Sequence, residues 1–445
     1  MKKALLWLHL ICATAISVLA ASSHAKPYTL NNAITQAQKQ DPWITGSLKQ
    51  QESLEAMSIE ANTLPDPTVS LRLANLPVDT FDFAKEGMTQ LNVGVSQLFP
   101  RGKTLSLKQE RLKKLSRIQP HARENRKAQV AVIVAHLWLD AYRNEKTIQL
   151  IEKDRDLFEH LVDITQSSYI TASGRTRQQD FVRSQLELTR LDDRLMRLRQ
   201  QRDMYLAKLG EWLNDSAIFL SDISLSAQKN NGRRIELLIP KKLSALSAIL
   251  SQHPKIKSID WKIHAFKAGI QLAKQSYKPQ WGLNASYGHR DQTPMGEDRS
   301  DFFSVGVTFD VPLFTGNRQD KKVQSAQAEF EAVKAERALA LRQLKSGYES
   351  VEVMYLRLIE RKSLFDSRLL KQMAEQVEAS LSAYTSDDGD FAEVVRAHIA
   401  ELNARIEALN VDIDRQKIIA QLNYFQFGIN APQESTASRF SSTRR

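Results

Sequence analysis

The chain has 445 residues, a formal net charge of +11, 25% charged residues and one cysteine. That length could hold two or three ordinary domains, and a single cysteine excludes a disulfide framework. The positive charge does not describe a nucleic-acid binder, because Lys and Arg are interleaved with Asp and Glu along long helical stretches.

Lys2 and Lys3 precede an apolar run from Ala4 to Ala21, and Ser23-His24-Ala25 places small residues where a signal peptidase reads. Residues 1–25 therefore read as a secretory signal peptide. Cys12 lies inside it, too near its start and without the preceding small residues of a lipoprotein site, so no lipid anchor is expected. The mature chain is expected to start near Lys26. No later apolar run reaches the roughly 18 residues of a membrane helix, so entry into a membrane would have to be through strands.

The rest is a duplication. Leu30, Ala33 and Ile34, followed by Asp41-Pro42, return as Leu243 and Leu246, followed by His253-Pro254. Leu98-Phe99-Pro100-Arg101-Gly102 returns as Leu313-Phe314-Thr315-Gly316, and Tyr169 with Gly174 returns as Tyr384 with Gly389, all about 212 to 215 residues apart. The expected division is repeat one at 26–213, an inter-repeat equatorial segment at 214–242 with one or two strands, repeat two at 243–430, and a disordered basic tail at 431–445.

Each repeat opens on a helix and continues as a strand hairpin, expected at about 67–99 and 280–314. In the first, Val69, Leu71 and Leu73, then Leu91, Val93 and Val95, alternate with polar residues. In the second, Trp281, Leu283, Ala285 and Tyr287, then Val305, Val307, Phe309 and Val311, do the same. Such strands approach the roughly 9 to 11 residues that a tilted strand needs to cross a bilayer. Four strands cannot close, and open edges in hydrocarbon leave backbone groups unpaired. Two copies would give eight strands, the smallest known barrel, and three would give twelve.

Long helices follow, at about 103–212 and 319–427. From Gln319 to Ala383 there is no proline and one glycine, and Val323, Phe330, Leu344, Val351, Leu358 and Phe365 fall on seven-residue steps broken only by Arg337. At about 1.5 Å per residue such a helix is about 100 Å long. Its partner contains Pro120, which should kink or divide it. The return helices carry Leu188, Leu195 and Leu209 with Leu191, Leu198, Tyr205 and Trp212, and Val395, Leu402 and Leu409 with Ile399, Ile406 and Ile413. These are coiled-coil faces, and helix packing accounts for them without a cofactor.

Signal peptide, duplicated hairpin and long-helix units, Leu-Phe turns from strand to helix, and the Tyr-x(4)-Gly turn before each return helix together resemble the TolC-like outer membrane efflux family. The resemblance covers about residues 28–428. It implies an α+β membrane protein, a homotrimer whose four strands per chain make a 12-stranded β-barrel in the outer membrane, continued by an α-helical coiled-coil barrel in the periplasm. The function implied is that of an exit duct in a tripartite efflux system, fed by a periplasmic adaptor and an inner-membrane pump of the resistance-nodulation-division type. Ala74 to Phe83 and Phe99 to Lys103 are similar to members serving heavy-metal pumps, and Met88 and Met295 in the external loops offer thioethers to a soft metal. Drugs and dyes are the competing substrates.

No His-Glu-x-x-His, Gly-x-Ser-x-Gly or paired-cysteine spacing occurs, so neither enzyme chemistry nor a cofactor is expected. Gly102-Lys103-Thr104 imitates the end of a phosphate loop, but Gln97 stands where that motif requires glycine. The resemblance places a periplasmic gate at the turns opening the return helices, with candidates Tyr384, Asp387, Asp388, Asp390, Glu393, Arg396, Asp180 and Arg183. It places the adaptor-contact tip at Gly174, Arg175, Thr176 and Gly389. The family's acidic-x-x-acidic-Ala pattern keeps Glu393 but has Arg396 for its second acid, and Asp180 with Arg183 shows the same departure, which suggests an alternating ring of acids and bases. Asp387, Asp388 and Asp390 are read either as helix caps or, in three copies, as a cation-attracting ring. A type I secretion duct would share the fold, and a periplasmic coiled-coil scaffold would explain the heptads but not the strands.

Overall fold

A computed structural model describes residues 29–170, 178–213, 243–386 and 389–427. The expected signal peptide, inter-repeat segment and basic tail lie outside the described residues. Helices α1 (Leu30–Gln40) and α2 (Pro42–Glu60) precede strands β1 (Thr68–Ala74) and β2 (Gln90–Phe99), then α3 (Thr104–Ser116), α4 (Ile118–Ile170) and α5 (Gln178–Leu213). The pattern repeats as α6 (Leu243–Leu250), α7 (Pro254–Lys274), β3 (Trp281–His289), β4 (Phe302–Phe309), α8 (Gln319–Leu364), α9 (Leu370–Thr385) and α10 (Phe391–Gln426). No described helix is long and apolar enough to cross a membrane.

The contacts divide into two compact units, each drawing on both repeats. One comprises the described parts of Pro42–Lys127, Pro240–Glu349 and Phe425–Arg445. It holds a single antiparallel sheet in the order β1-β2-β3-β4. Leu71 faces Val93, Val93 faces Tyr287, and Tyr287 faces Phe303, so the apolar alternation of all four strands falls on one side. That side is uncovered: Val69, Leu71, Val305 and Val307 are all exposed. The other side carries Ser70, Asn92, Gly94, Asn284, Gly306 and Thr308.

The strands have 7, 10, 9 and 8 residues, so β1 and β4 fall short of the expected span. The last strand stops at Phe309, before Val311: the Asp310 backbone N–H still donates to the Gln280 carbonyl at 3.3 Å, but its carboxylate accepts the Gln280 backbone N–H at 2.6 Å and pairs with Arg101. Pro312 then offers no donor to a ladder. Arg101 also donates to the Lys278 carbonyl at 2.7 Å, which ties the foot of β2 to that of β3. At the loops, Arg290 and Arg299 donate to the carbonyls of Gly87 and Glu86, both at 3.2 Å, joining the two hairpins.

Below the sheet, α2 packs on α3 and α3 on α7. The pairs Arg337–Asp260 at 2.5 Å and Lys262–Glu336 at 2.7 Å link α7 to α8. The helices thus follow the lateral order of the strands they adjoin. Arg337, the break in the seven-residue series, is there to meet Asp260.

The division expected near Pro120 occurs at Arg117, between α3 and α4. Proline stands in the first turn of α4, where its missing N–H costs nothing. The helix from Gln319 runs to Thr385 but opens into a π turn at Phe365–Leu369, where the seven-residue series ends. Of that series Leu344, Val351 and Phe365 are buried, while Val323, Phe330 and Leu358 are half-buried.

The other unit is helical, with described parts of Met1–Asp41, Ala128–Ile239 and Ser350–Tyr424. Trp138, Val130 and Val134 of α4 pack with Ala33 and Ala37 of α1 and Leu209 and Leu213 of α5. A second cluster joins Ile148, Ile151 and Phe158 to Leu191, Leu195, Val395, Leu402 and Ile406. The stripes read as coiled-coil faces supply both.

Candidate functional site

The second repeat's turn brings five of the candidate residues together. Helix α9 ends at Thr385, whose hydroxyl donates to the Ser382 carbonyl at 3.0 Å, and the Ser386 N–H donates to the same carbonyl at 3.0 Å. Gly389 then passes so close to α9 that a Cβ there would lie 2.8 Å from the Tyr384 backbone nitrogen and 2.9 Å from the Ala383 carbonyl carbon. Only glycine fits without moving backbone. The Asp390 carboxylate accepts the Ala392 N–H at 3.2 Å, which caps α10.

The chain is held at this point by aromatics. Phe391, the first residue of α10, is buried in the second cluster, and the Tyr384 ring meets it edge-on with centroids 5.7 Å apart. One turn on, Glu393 and Arg396 form an ion pair at 2.8 Å with both side chains more than half exposed. Arg396 also donates to the Ala392 carbonyl at 3.2 Å. The acid and base of this motif therefore neutralise one another within one chain. Such an exposed pair contributes about 0–1 kcal/mol.

In the first repeat the same motif is arranged differently. Asp180, in the first turn of α5, is buried at 5% exposure beside buried Ser184, whose hydroxyl donates to the Phe181 carbonyl at 2.8 Å. Arg183 is exposed. Gly174, Arg175 and Thr176, and also Asp387 and Asp388, lie outside the described residues. Met88 and Met295 are both exposed in the hairpin loops. Among the described residues no three His, Cys, Asp or Glu side chains converge as metal ligands.

A charged layer between α4 and α10 was not visible in the heptad reading. Asp154 lies 3.6 Å from Arg405, which also pairs with Glu401. Burial pushes the Asp154 carboxyl up, against the pull of Arg405. Burial likewise lowers the His398 imidazole, whose ring stands edge-on to Phe158 at 6.5 Å. Further along, Lys417 pairs with Asp140, and Arg143 with Asp414. These charges sit beside the apolar stripes and fix which helix faces meet. His398 and Arg405 stand seven residues apart, each one position before a stripe residue, Ile399 and Ile406, and that parallel series was the available signal.

The sequence profile of the family described as "Outer membrane efflux protein" matches residues 245–424. No curated protein matches the chain. Among solved structures, CusC superposes with a TM-score of 0.72 at 14% identity, covering 89% of this chain and 91% of its own; it is described for conformational changes accompanying folding and transmembrane channel formation. The outer membrane protein VceC of Vibrio cholerae gives 0.70 at 13% identity, over 90% of this chain and 96% of its own. The MtrE outer membrane channel of Neisseria gonorrhoeae, in its open state, gives 0.67 at 14% identity, over 90% and 88%.

Proposed function

Since residues 245–424 match the outer membrane efflux protein family and the fold superposes on CusC, we propose that this chain is a TolC-like member and works as one of three identical subunits of a closed exit duct. The family is one of channels, not of enzymes, and the protein belongs to the outer membrane with its helices in the periplasm. One observation carries closure by further copies, whose number the family resemblance sets at three: the four-stranded sheet leaves its apolar side uncovered and, among the described residues, the outer edges of β1 and β4 unpaired. Hydrocarbon tolerates the first and forbids the second, so β4 of one copy must meet β1 of the next. Three copies give twelve strands and a wider lumen than two. Light scattering on detergent-extracted protein from the outer-membrane fraction tests this. A mass of three chains is expected, and a monomer released without detergent would remove the barrel.

The duct would receive its substrate from a periplasmic adaptor and an inner-membrane pump of the resistance-nodulation-division type. The turn at Gly174, Arg175 and Thr176, with Gly389 in the second repeat, would form the adaptor-contact tips, and a cysteine cross-linking scan that captures no adaptor there would count against them. Tyr384, Asp390, Glu393 and Arg396, with Asp387, Asp388, Asp180 and Arg183, would line the periplasmic mouth. Heavy-metal cations are the substrate class proposed, on the similarity of Ala74–Phe83 and Phe99–Lys103 to members that serve metal pumps. Single-channel recordings of Asp387→Asn/Asp388→Asn should show weaker cation preference and weaker block by multivalent cations, and an unchanged record would leave the aspartates as caps alone. Neighbouring genes for an ATP-binding cassette exporter would turn the reading toward polypeptide secretion.

A further inference from the structure

A cleft of about 600 Å³ opens between α3, α7 and α8 at the foot of the sheet. Its chemistry differs from the helix surfaces around it. On the neighbouring faces of α7 and α8, Lys262 pairs with Glu336 and Arg337 with Asp260. In the cleft, Lys108, Arg111 and Lys322 line the walls with Glu329 as the one carboxylate, and among the described residues none of the three cations has an ion-pair partner. Arg101, a fourth lining cation, is already engaged with Asp310.

Helical spacing explains the gathering. Thr104, Lys108 and Arg111 stand at i, i+4 and i+7 on α3, and Lys322, Ser325 and Glu329 at i, i+3 and i+7 on α8, so each set shares one face. Between them α7 supplies Gly269 and Ala273, small enough to leave the floor open; a Cβ on Gly269 would stand 3.8 Å from Arg111 Nε. That Nε is buried and has no acceptor. The Arg111 guanidinium carbon is 5.8 Å from the Phe266 ring centroid, which holds the fork without satisfying it. A buried N–H donor without an acceptor is destabilising unless something else supplies one.

Ser325 adds a hydroxyl to the lining, whereas those of Thr104 and Ser276 donate to the carbonyls of Arg101 and Ala273 at 2.6 and 2.7 Å. A planar guanidinium fork flanked by two ammonium groups and the Ser325 hydroxyl matches the oxygens of a phosphate. We propose that this cleft is an anion site for a phosphate-bearing group, anchored by Arg111 and flanked by Lys108 and Lys322. The group comes either from a soluble phosphorylated molecule or from a phospholipid headgroup, since the cleft adjoins the strands. One chain forms the whole site, so its test is independent of how many subunits close the duct.

The full mature chain in detergent is titrated with pyrophosphate by isothermal calorimetry, and its bound lipid is read by native mass spectrometry. Saturable binding of one pyrophosphate per chain points to the soluble source, and about one retained phospholipid per chain points to the headgroup. In either arm Arg111→Gln should weaken binding about tenfold or more, and Arg111→Lys less, because the point charge survives and the fork does not. Lys334→Gln, whose lysine pairs with Glu331 at 2.8 Å, should change nothing. Should Arg111→Gln not fold, as judged by circular dichroism, the exposed pair Lys108→Gln/Lys322→Gln carries the same test. Absence of both pyrophosphate and lipid, or binding equally strong in the variants, overturns the site.

Discussion

In β2 and β4, Val93 and Val305 are 44% and 62% exposed, whereas in α10 Val395 and Leu402 are each 1% exposed. The residue types are the same and their directions are opposite. The helices spend their apolar stripes on one another, while the sheet turns its apolar side away from the chain and keeps Asn284, Ser70 and Thr308 on the other. A sheet built this way is solvated correctly only when oil replaces water on one side.

The most severe way to break that contrast is a charge on the outward side. Val93→Arg should cost about 2–4 kcal/mol per copy near the bilayer midplane, and three copies multiply it, so the trimer should vanish from the outer-membrane fraction. Normal insertion of this variant would show that the face does not meet lipid. In the helical unit the equivalent damage is a cavity. Leu402→Ala should lower stability by about 2–5 kcal/mol, seen as an earlier thermal midpoint in detergent, with insertion retained. The turn comes next, because Gly389→Ala collides with backbone instead of losing burial. A loss of about 1–3 kcal/mol is expected, seen as a smaller drop of the thermal midpoint in detergent.

The smallest effect sharpens the contrast from outside the bilayer. Asp301, just before the start of β4, accepts from the Tyr287 hydroxyl and from the Arg290 backbone N–H, and these bonds hold its carboxyl at about 2 against an ordinary 3.8. A lowered folded value means that its contribution is complete above about pH 3.8 and is lost as pH falls through about 2. The thermal midpoint should fall over that window in the native chain and less in Asp301→Asn.

Strand alternation was legible because its period of two survives in any environment. The end of β4 was not, since Val311 continues the alternation and only the distant Arg101 and Gln280 reveal that the Asp310 carboxylate replaces a ladder acceptor. The duplicated turn was legible through Tyr384 and Gly389, yet the motif could not tell buried Asp180 from exposed Glu393. Neighbouring helices decide that. The cleft escaped notice for a similar reason: Arg111 and Lys322 belong to different repeats, and each looks like one more charge on an amphipathic helix.

The pairing of β2 with β3 joins Phe99 to Trp281, about 180 residues apart. At synthesis rates of about 5–20 residues per second, the first hairpin waits of the order of ten seconds for its partner. During that interval Leu71, Val93 and Val95 have no lipid to face, and the edge of β2 that later meets β3 is open to any passing chain. The fold thus sets a demand on the compartment that receives it: a factor that shields half-made hairpins must act before the second repeat arrives.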